Sequence, residues 1–193
     1  MSTPAADPEL LAAACRFAAE AGALTLEWFR SNELDLEHKG DGTPVTAADK
    51  AAEARLRRLI GEFAPEDTIL GEEEGHSPGS GERRWIIDPI DGTKAFTRGV
   101  PLYSTLVAVE DQHGPAVGII ELPALGQRVF AGRGLGCTVV DFHGERPARV
   151  SDTSAIGDAL LCTSGFGSWS PEQVQAAHSS GALLRTWGDG YGY

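Results

Sequence analysis

Leu10, Ala14, Phe17, Ala21, Leu24 and Trp28 recur at helical spacing behind Asp7-Pro8, an N-cap followed by a proline suited to a first turn. The spacing predicts one long amphipathic helix. Lys39-Gly40-Asp41-Gly42-Thr43-Pro44 reads as a loop. A second helix is expected from about Thr46, with Ala48, Ala52, Leu56, Leu59 and Phe63 inward and Arg55, Arg57 and Arg58 largely outward. Strand patterns then dominate, over residues 68–71, 84–88, 103–110, 116–122 and 127–131, and Asp111-Gln112-His113-Gly114 makes the middle pair a hairpin. Beyond Gly132 the pattern thins, and Arg133-Gly134-Leu135-Gly136 reads as a turn. A new section starts near Arg149, with a strand over 159–163, a short helix from Pro171 and a strand over 183–187.

Two of these strands end in acids. Trp85-Ile86-Ile87 runs into Asp88-Pro89-Ile90-Asp91-Gly92-Thr93, and because Pro89 cannot donate to a sheet ladder, pairing is expected to stop where Asp88 begins. Asp88 and Asp91, three residues apart across a tight turn, can converge on one cation, with the Ile90 carbonyl as a third oxygen ligand. Gly92 lets the backbone approach a ligand. A helix opening at Thr93 would aim its first N–H groups at the same spot, which suits a phosphate. Asp, Pro and Gly also make ordinary turns. That plainer reading weakens because Ile69-Leu70-Gly71-Glu72-Glu73-Glu74-Gly75 is a second apolar strand ending in carboxylates shortly before the first. In Thr46-Ala47-Ala48-Asp49 the Asp stands three residues after a Thr at a helix start, a capping-box arrangement with Asp in the usual place of Glu or Gln.

Composition narrows the chemistry. At 193 residues and 41% hydrophobic content the chain can bury one core of ordinary size. A formal charge of −12 argues against nucleic acid as a partner, and an acidic protein acting on phosphate esters needs cations at its own site. No apolar run approaches membrane-spanning length and no signal-peptide pattern opens the chain, so no membrane partner is expected and the cytoplasm is the default location. Cys15, Cys137 and Cys162 lack disulfide or zinc spacing. The five histidines sit singly in polar stretches and read as surface residues. No Gly-x-Ser-x-Gly elbow or P-loop occurs.

Gly71-Glu72-Glu73 together with Asp88-Pro89-Ile90-Asp91-Gly92-Thr93 resembles the signature of the inositol monophosphatase family of Mg²⁺-dependent phosphatases. The resemblance extends to Thr43-Pro44-Val45-Thr46-Ala47-Ala48-Asp49 upstream and to Ala159–Ser164 and Arg185-Thr186-Trp187-Gly188-Asp189 downstream. Lys94, Arg98-Gly99-Val100-Pro101 and the Trp187–Tyr193 ending look most like the bacterial histidinol-phosphatases of this fold.

The resemblance implies an α/β layered fold, an α-β-α-β-α sandwich, forming a single phosphatase domain over residues 1–193. Residues 1–148 would form the metal- and phosphate-binding part and 149–193 the start of a C-terminal part. Family members continue into a Trp-Asp motif whose Asp is a further metal ligand, and that motif is absent here, so the domain is expected to be incomplete at its C-terminus. The family's pattern implies that Glu72, Asp88, Asp91 and the Ile90 carbonyl hold Mg²⁺, that Asp49 and Thr93 orient or deprotonate the attacking water, and that the Gly92 and Thr93 amides hold the phosphate.

Arg185 and Asp189 are candidates for substrate selection, Asp189 pairing with the amine of histidinol phosphate. A strand-end ion pair explains the two equally well. The expected partner is a small phosphorylated metabolite, with a homodimer possible. The alternatives are an inositol or other small-sugar monophosphatase, and a truncated, non-catalytic Mg²⁺- or phosphate-binding protein.

Overall fold

Asp7 and Thr46 decide where the two long helices begin. The computed structural model describes residues 3–31, 36–38, 44–165, 167, 169–188, 190 and 192. Asp7 accepts from the Glu9 amide at 2.8 Å and Pro8 occupies the first turn, giving α1 (Pro8–Thr25). Thr46 and Asp49 form a reciprocal capping box that starts α2 (Ala47–Phe63). Trp28, expected to extend the first helical stripe, lies past its end in a turn, where its amide donates to the Thr25 carbonyl at 3.2 Å.

In chain order the remaining elements are β1 (Leu36–His38), β2 (Pro44–Thr46), β3 (Thr68–Gly71), β4 (His76–Ser77), β5 (Arg84–Asp91), α3 (Thr93–Thr97), β6 (Ser104–Asp111), β7 (Gly114–Leu122), β8 (Gln127–Gly132), β9 (Gly136–Asp141), β10 (Gly144–Pro147), β11 (Leu160–Cys162), α4 (Pro171–Ser179) and β12 (Leu183–Arg185). Among the described residues these strands form a mixed eight-stranded sheet in the order β10-β9-β8-β7-β6-β5-β3-β4, with β1-β2 and β11-β12 as separate pairs. Only β3 and β5 run parallel within the large sheet; their crossover passes through β4.

Packing follows from side-chain size. α1 lays Ala13, Ala14, Ala18 and Ala21, all fully buried, against the sheet, and a Cβ on Gly22 would come within 3.0 Å of Glu121 on β7. Small residues let helix and strand approach closely. Beside α2, Phe17, Phe63 and Trp85 form an aromatic knot with ring centroids 5.8 to 6.4 Å apart. The Trp85 Nε1–H donates to buried Asp67 at 2.8 Å, and Arg83 pairs with the same carboxylate at 2.9 Å. Each Leu, Ile or Phe buried in this core contributes roughly 2 kcal/mol. Among the described residues no helix is long and apolar enough to cross a membrane.

Three expectations are corrected. Pairing of β5 does not stop at Asp88. Asp88 still faces Leu106, the register shifts, and Asp91 pairs again with Ser104. Pro89 sits inside that bulge, where no ladder amide is required, and its carbonyl accepts from Thr105 Oγ1 at 2.8 Å. Arg57 does not point outward, because its side chain is only 11% exposed and paired with fully buried Glu53. The thin stretch after Gly132 is a hairpin, β9 against β10, hidden in the sequence because its side chains are half-buried or exposed without alternation. Of the five histidines, His76, His113, His143 and His178 are exposed as expected; the side chain of His38 lies outside the description.

Candidate metal and phosphate site

The β5 bulge determines how the acids are presented. Asp88 sits before it, half-buried, and Asp91 after it, only 5% exposed, so both leave the strand at one end. Asp91 Oδ2 accepts from Ser104 Oγ at 3.0 Å and from the Gly192 amide at 2.8 Å. A Cβ on Gly190 would stand 2.8 Å from the same oxygen, so only glycine fits there. Gly92 follows with φ 92°, a left-handed conformation that other side chains resist. It starts α3, whose Thr93 Oγ1 donates back to the Ile90 carbonyl at 3.2 Å. Ile90, Phe96, Tyr103 and Ala48 pack beneath this turn as a second apolar cluster, and the Tyr103 hydroxyl meets Thr25 Oγ1 at 3.0 Å.

Two other elements bring acids to the same place. The Glu72 amide donates to the Ile87 carbonyl at 3.2 Å, tying the loop after β3 to the strand residue just before Asp88. Asp49 projects from the first turn of α2. Its Oδ2 accepts from the Thr46 amide at 2.7 Å and the Thr46 hydroxyl at 2.6 Å, so one oxygen serves the helix cap. The other, Asp49 Oδ1, is buried without a hydrogen-bond partner, and so is Asp88 Oδ1. One oxygen of this carboxylate is thus committed to the helix cap and the other is left without a hydrogen-bond partner.

The electrostatics show that these groups crowd one another. Burial, then a hydrogen bond shared with Glu72, then the charges of Glu72, Asp91 and Asp49 push the Asp88 carboxyl up to about 9. Burial also raises Asp49, against its bonds from Thr46 and with help from Glu72. Unpartnered buried oxygens are costly, about 1–3 kcal/mol each. A hard cation would satisfy both and relieve the repulsion. Among the described residues no three acids close round one point as a finished ligand set. The cradle is therefore open, with Asp88 the member that feels the other three. Its donors are carboxylate and carbonyl oxygens, which suit Mg²⁺ or Ca²⁺ and not zinc.

The structure thus draws together Glu72, Asp88, Asp91, Asp49 and the Ile90-Gly92-Thr93 turn. It does not draw in Arg185, which is exposed on β12 with its guanidinium donating to the Leu184 carbonyl at 2.7 Å. Asp189 lies outside the described residues. Ser104 and Thr105, which hold Asp91 and the bulge, were not singled out in the sequence, since their role depends on a partner strand. Glu53, one turn after Asp49 on the buried face of α2, was also missed; an acid at that spacing among Ala48, Ala52 and Leu56 was the available signal.

Residues 7–185 match the inositol monophosphatase family. The chain is 39% identical over 187 residues to the histidinol-phosphatase of Chlorobaculum parvum, covering 93% of this chain and 70% of that protein. To the histidinol-phosphatase of Mycobacterium tuberculosis it is 41% identical over 158 residues, covering 81% of this chain and 60% of that one. Among solved structures, the extragenic suppressor protein suhB of Bartonella henselae superimposes with a TM-score of 0.81 at 26% identity, covering 93% of this chain and 70% of that one. An inositol monophosphatase from Anabaena does so with a TM-score of 0.75 at 29% identity, covering 93% and 67%. The chain spans 58 to 70% of the length of the three histidinol-phosphatases it matches. With acids at two strand ends, a shared sheet and a match over nearly its whole length, this chain belongs to the inositol monophosphatase family.

Proposed function

We propose that the chain hydrolyses a phosphomonoester by attack of water, and that histidinol phosphate is the preferred ester. The observation carrying this reading is the pair of buried, unpartnered oxygens, Asp49 Oδ1 and Asp88 Oδ1, within one group of mutually repelling carboxylates. Glu72, Asp88, Asp91 and the Ile90 carbonyl would hold Mg²⁺, with residues 1–148 as the metal- and phosphate-binding part. Bound there, the ion supplies Lewis acidity and positive charge. Asp49 Oδ1, whose sister oxygen is committed to the cap, accepts the proton of the attacking water, and Thr93 Oγ1 orients that water. The Gly92 and Thr93 amides hold the phosphate oxygens, with Gly92 giving the closest backbone approach. Asp189 would meet the substrate amine.

The choice of ester is supported by relatives named histidinol-phosphatase at 39 to 41% identity, against 34% for a fructose-1,6-bisphosphatase/inositol-1-monophosphatase of Aquifex aeolicus. Inositol monophosphate is the second reading, favoured by the names of the solved neighbours. The test is phosphate release from each ester by the purified chain across a Mg²⁺ titration. Faster release from histidinol phosphate is expected, with Thr93→Ala lowering kcat more than it raises KM. Preference for inositol monophosphate would transfer the assignment to the second reading. Mg²⁺ binding without release from either ester would replace catalysis with a non-catalytic binding role.

A further inference from the structure

We propose that Glu53 is a positioning residue that clamps the Gly71–Gly75 loop onto α2 and thereby holds Glu72 in the site, an inference that rests on reading Glu72 as a site carboxylate. Glu53 is fully buried, yet its carboxylate is not spent on the core. Oε2 accepts from the Glu73 amide at 2.7 Å and Oε1 from the Glu74 amide at 2.9 Å. Arg57, one turn further along the same face, pairs with Oε1 at 2.8 Å. It also donates to the Gly75 carbonyl at 2.6 Å and to Ser77 Oγ at 2.8 Å. The loop closes on itself through the Gly71 amide and the Gly75 carbonyl at 2.9 Å. A loop made of three consecutive acids would otherwise repel itself away from the acidic site, and two charge-assisted bonds to its backbone oppose that.

Gly71 shows how tight the clamp is. A Cβ there would overlap Glu53 Oε1 and stand 2.6 Å from Arg57 Nη2. Asp49, Glu53 and Arg57 are each four residues apart, so one helical face carries both the Asp49 carboxylate and the fixture for Glu72. Turning or shifting α2 moves two site acids together. A buried ion pair retained for stability alone would have no reason to direct both its oxygens at the amides of an exposed loop.

The test compares Glu53→Gln with the parent by far-UV circular dichroism, amide hydrogen exchange and Mg²⁺ calorimetry on the full chain. Gln keeps the volume and loses the charge and one acceptor. We expect unchanged circular dichroism, exchange of the Glu73 and Glu74 amides at least about tenfold faster with α2 and β5 unaffected, and Mg²⁺ affinity weaker by about tenfold. Arg57→Lys, which leaves both amide bonds to Glu53, should show a smaller loss. If Glu53→Gln does not fold, Gly71→Ala disturbs the clamp from the loop side and should give the same local signature. Unchanged loop exchange and Mg²⁺ affinity in a folded variant, or exchange raised equally throughout the sheet, would overturn the proposal. A parent chain that neither binds Mg²⁺ nor releases phosphate would remove the functional reading, while the exchange comparison would still decide whether Glu53 holds the loop.

Discussion

Asp88→Asn keeps the shape of the side chain at the centre of the acid cluster and removes its ionisation. In the metal-free chain, burial, the hydrogen bond with Glu72 and the neighbouring charges raise this carboxyl from 3.8 to about 9. The folded protein therefore keeps a proton there that the unfolded chain has lost. A raised folded-state value contributes stability that is complete below the unfolded value of 3.8 and is lost as the pH climbs to about 9. At pH 7 about three units of that window have been crossed, and at about 1.36 kcal/mol per unit the loss approaches 4 kcal/mol. This is an upper figure, because the side chain is partly open to water, which screens its neighbours' charges. Asn has no such term. The metal-free variant should be more stable than the parent at neutral pH, by up to about 10 °C in melting midpoint for a chain of this size. Its stability should also vary less between about pH 5 and about pH 9. Mg²⁺ should narrow the difference: the parent gains about 2.7 kcal/mol at a hundred times its Kd, and the variant gains little. Thermal and urea unfolding with and without Mg²⁺ read both effects. A variant less stable than the parent without metal at neutral pH, or one with the parent's full Mg²⁺ gain, would refute the reasoning.

Thr46→Ala should cost about 1 kcal/mol through the lost cap. It should reduce phosphate release by more than that stability loss explains, since Asp49 Oδ2 loses the bond from the Thr46 hydroxyl and keeps only that from the Thr46 amide; Thr46→Ser should restore both stability and release, and equal behaviour of Ala and Ser would count against the shared role of Asp49. Trp85→Phe removes the 2.8 Å bond to buried Asp67 and should lower stability in urea by about 2–3 kcal/mol. Leu56→Ala, at a fully buried position, should cost about 3 kcal/mol while leaving the Mg²⁺-induced stabilisation unchanged.

What could be read from the chain depended on how local its causes are. Asp7-Pro8 and Thr46-Asp49 start their helices through bonds spanning two or three residues, so both starts were legible. The hairpin through 111–114 was legible for the same reason. The continuation of β5 past Pro89 was not, because it depends on Ser104 and Thr105 of a strand more than ten residues away. Arg57 looked like a surface cation because, apart from Glu53 on its own helix, its partners Gly75 and Ser77 lie about twenty residues on. Asp49, Glu72, Asp88 and Asp91 were identified as a set through the resemblance to the inositol monophosphatase family, and the fold brings them together. Arg185 was paired with Asp189 as a candidate; its guanidinium donates to the Leu184 carbonyl of its own strand, and Asp189 lies outside the described residues.

The bulge in β5 gives the acids unequal lifetimes. Asp88 and Asp91 are carried on a strand paired on either side of the bulge, so they stay in place until the sheet itself comes apart. Glu72 rides on a short loop joined to its surroundings by a handful of bonds, and segments of that kind open long before global unfolding. Warming should therefore dismantle the acid cluster in stages, with Glu72 departing first and returning on cooling. Below the melting point the chain would pass through a reversible, idle state whose onset reflects the strength of one loop and not that of the core.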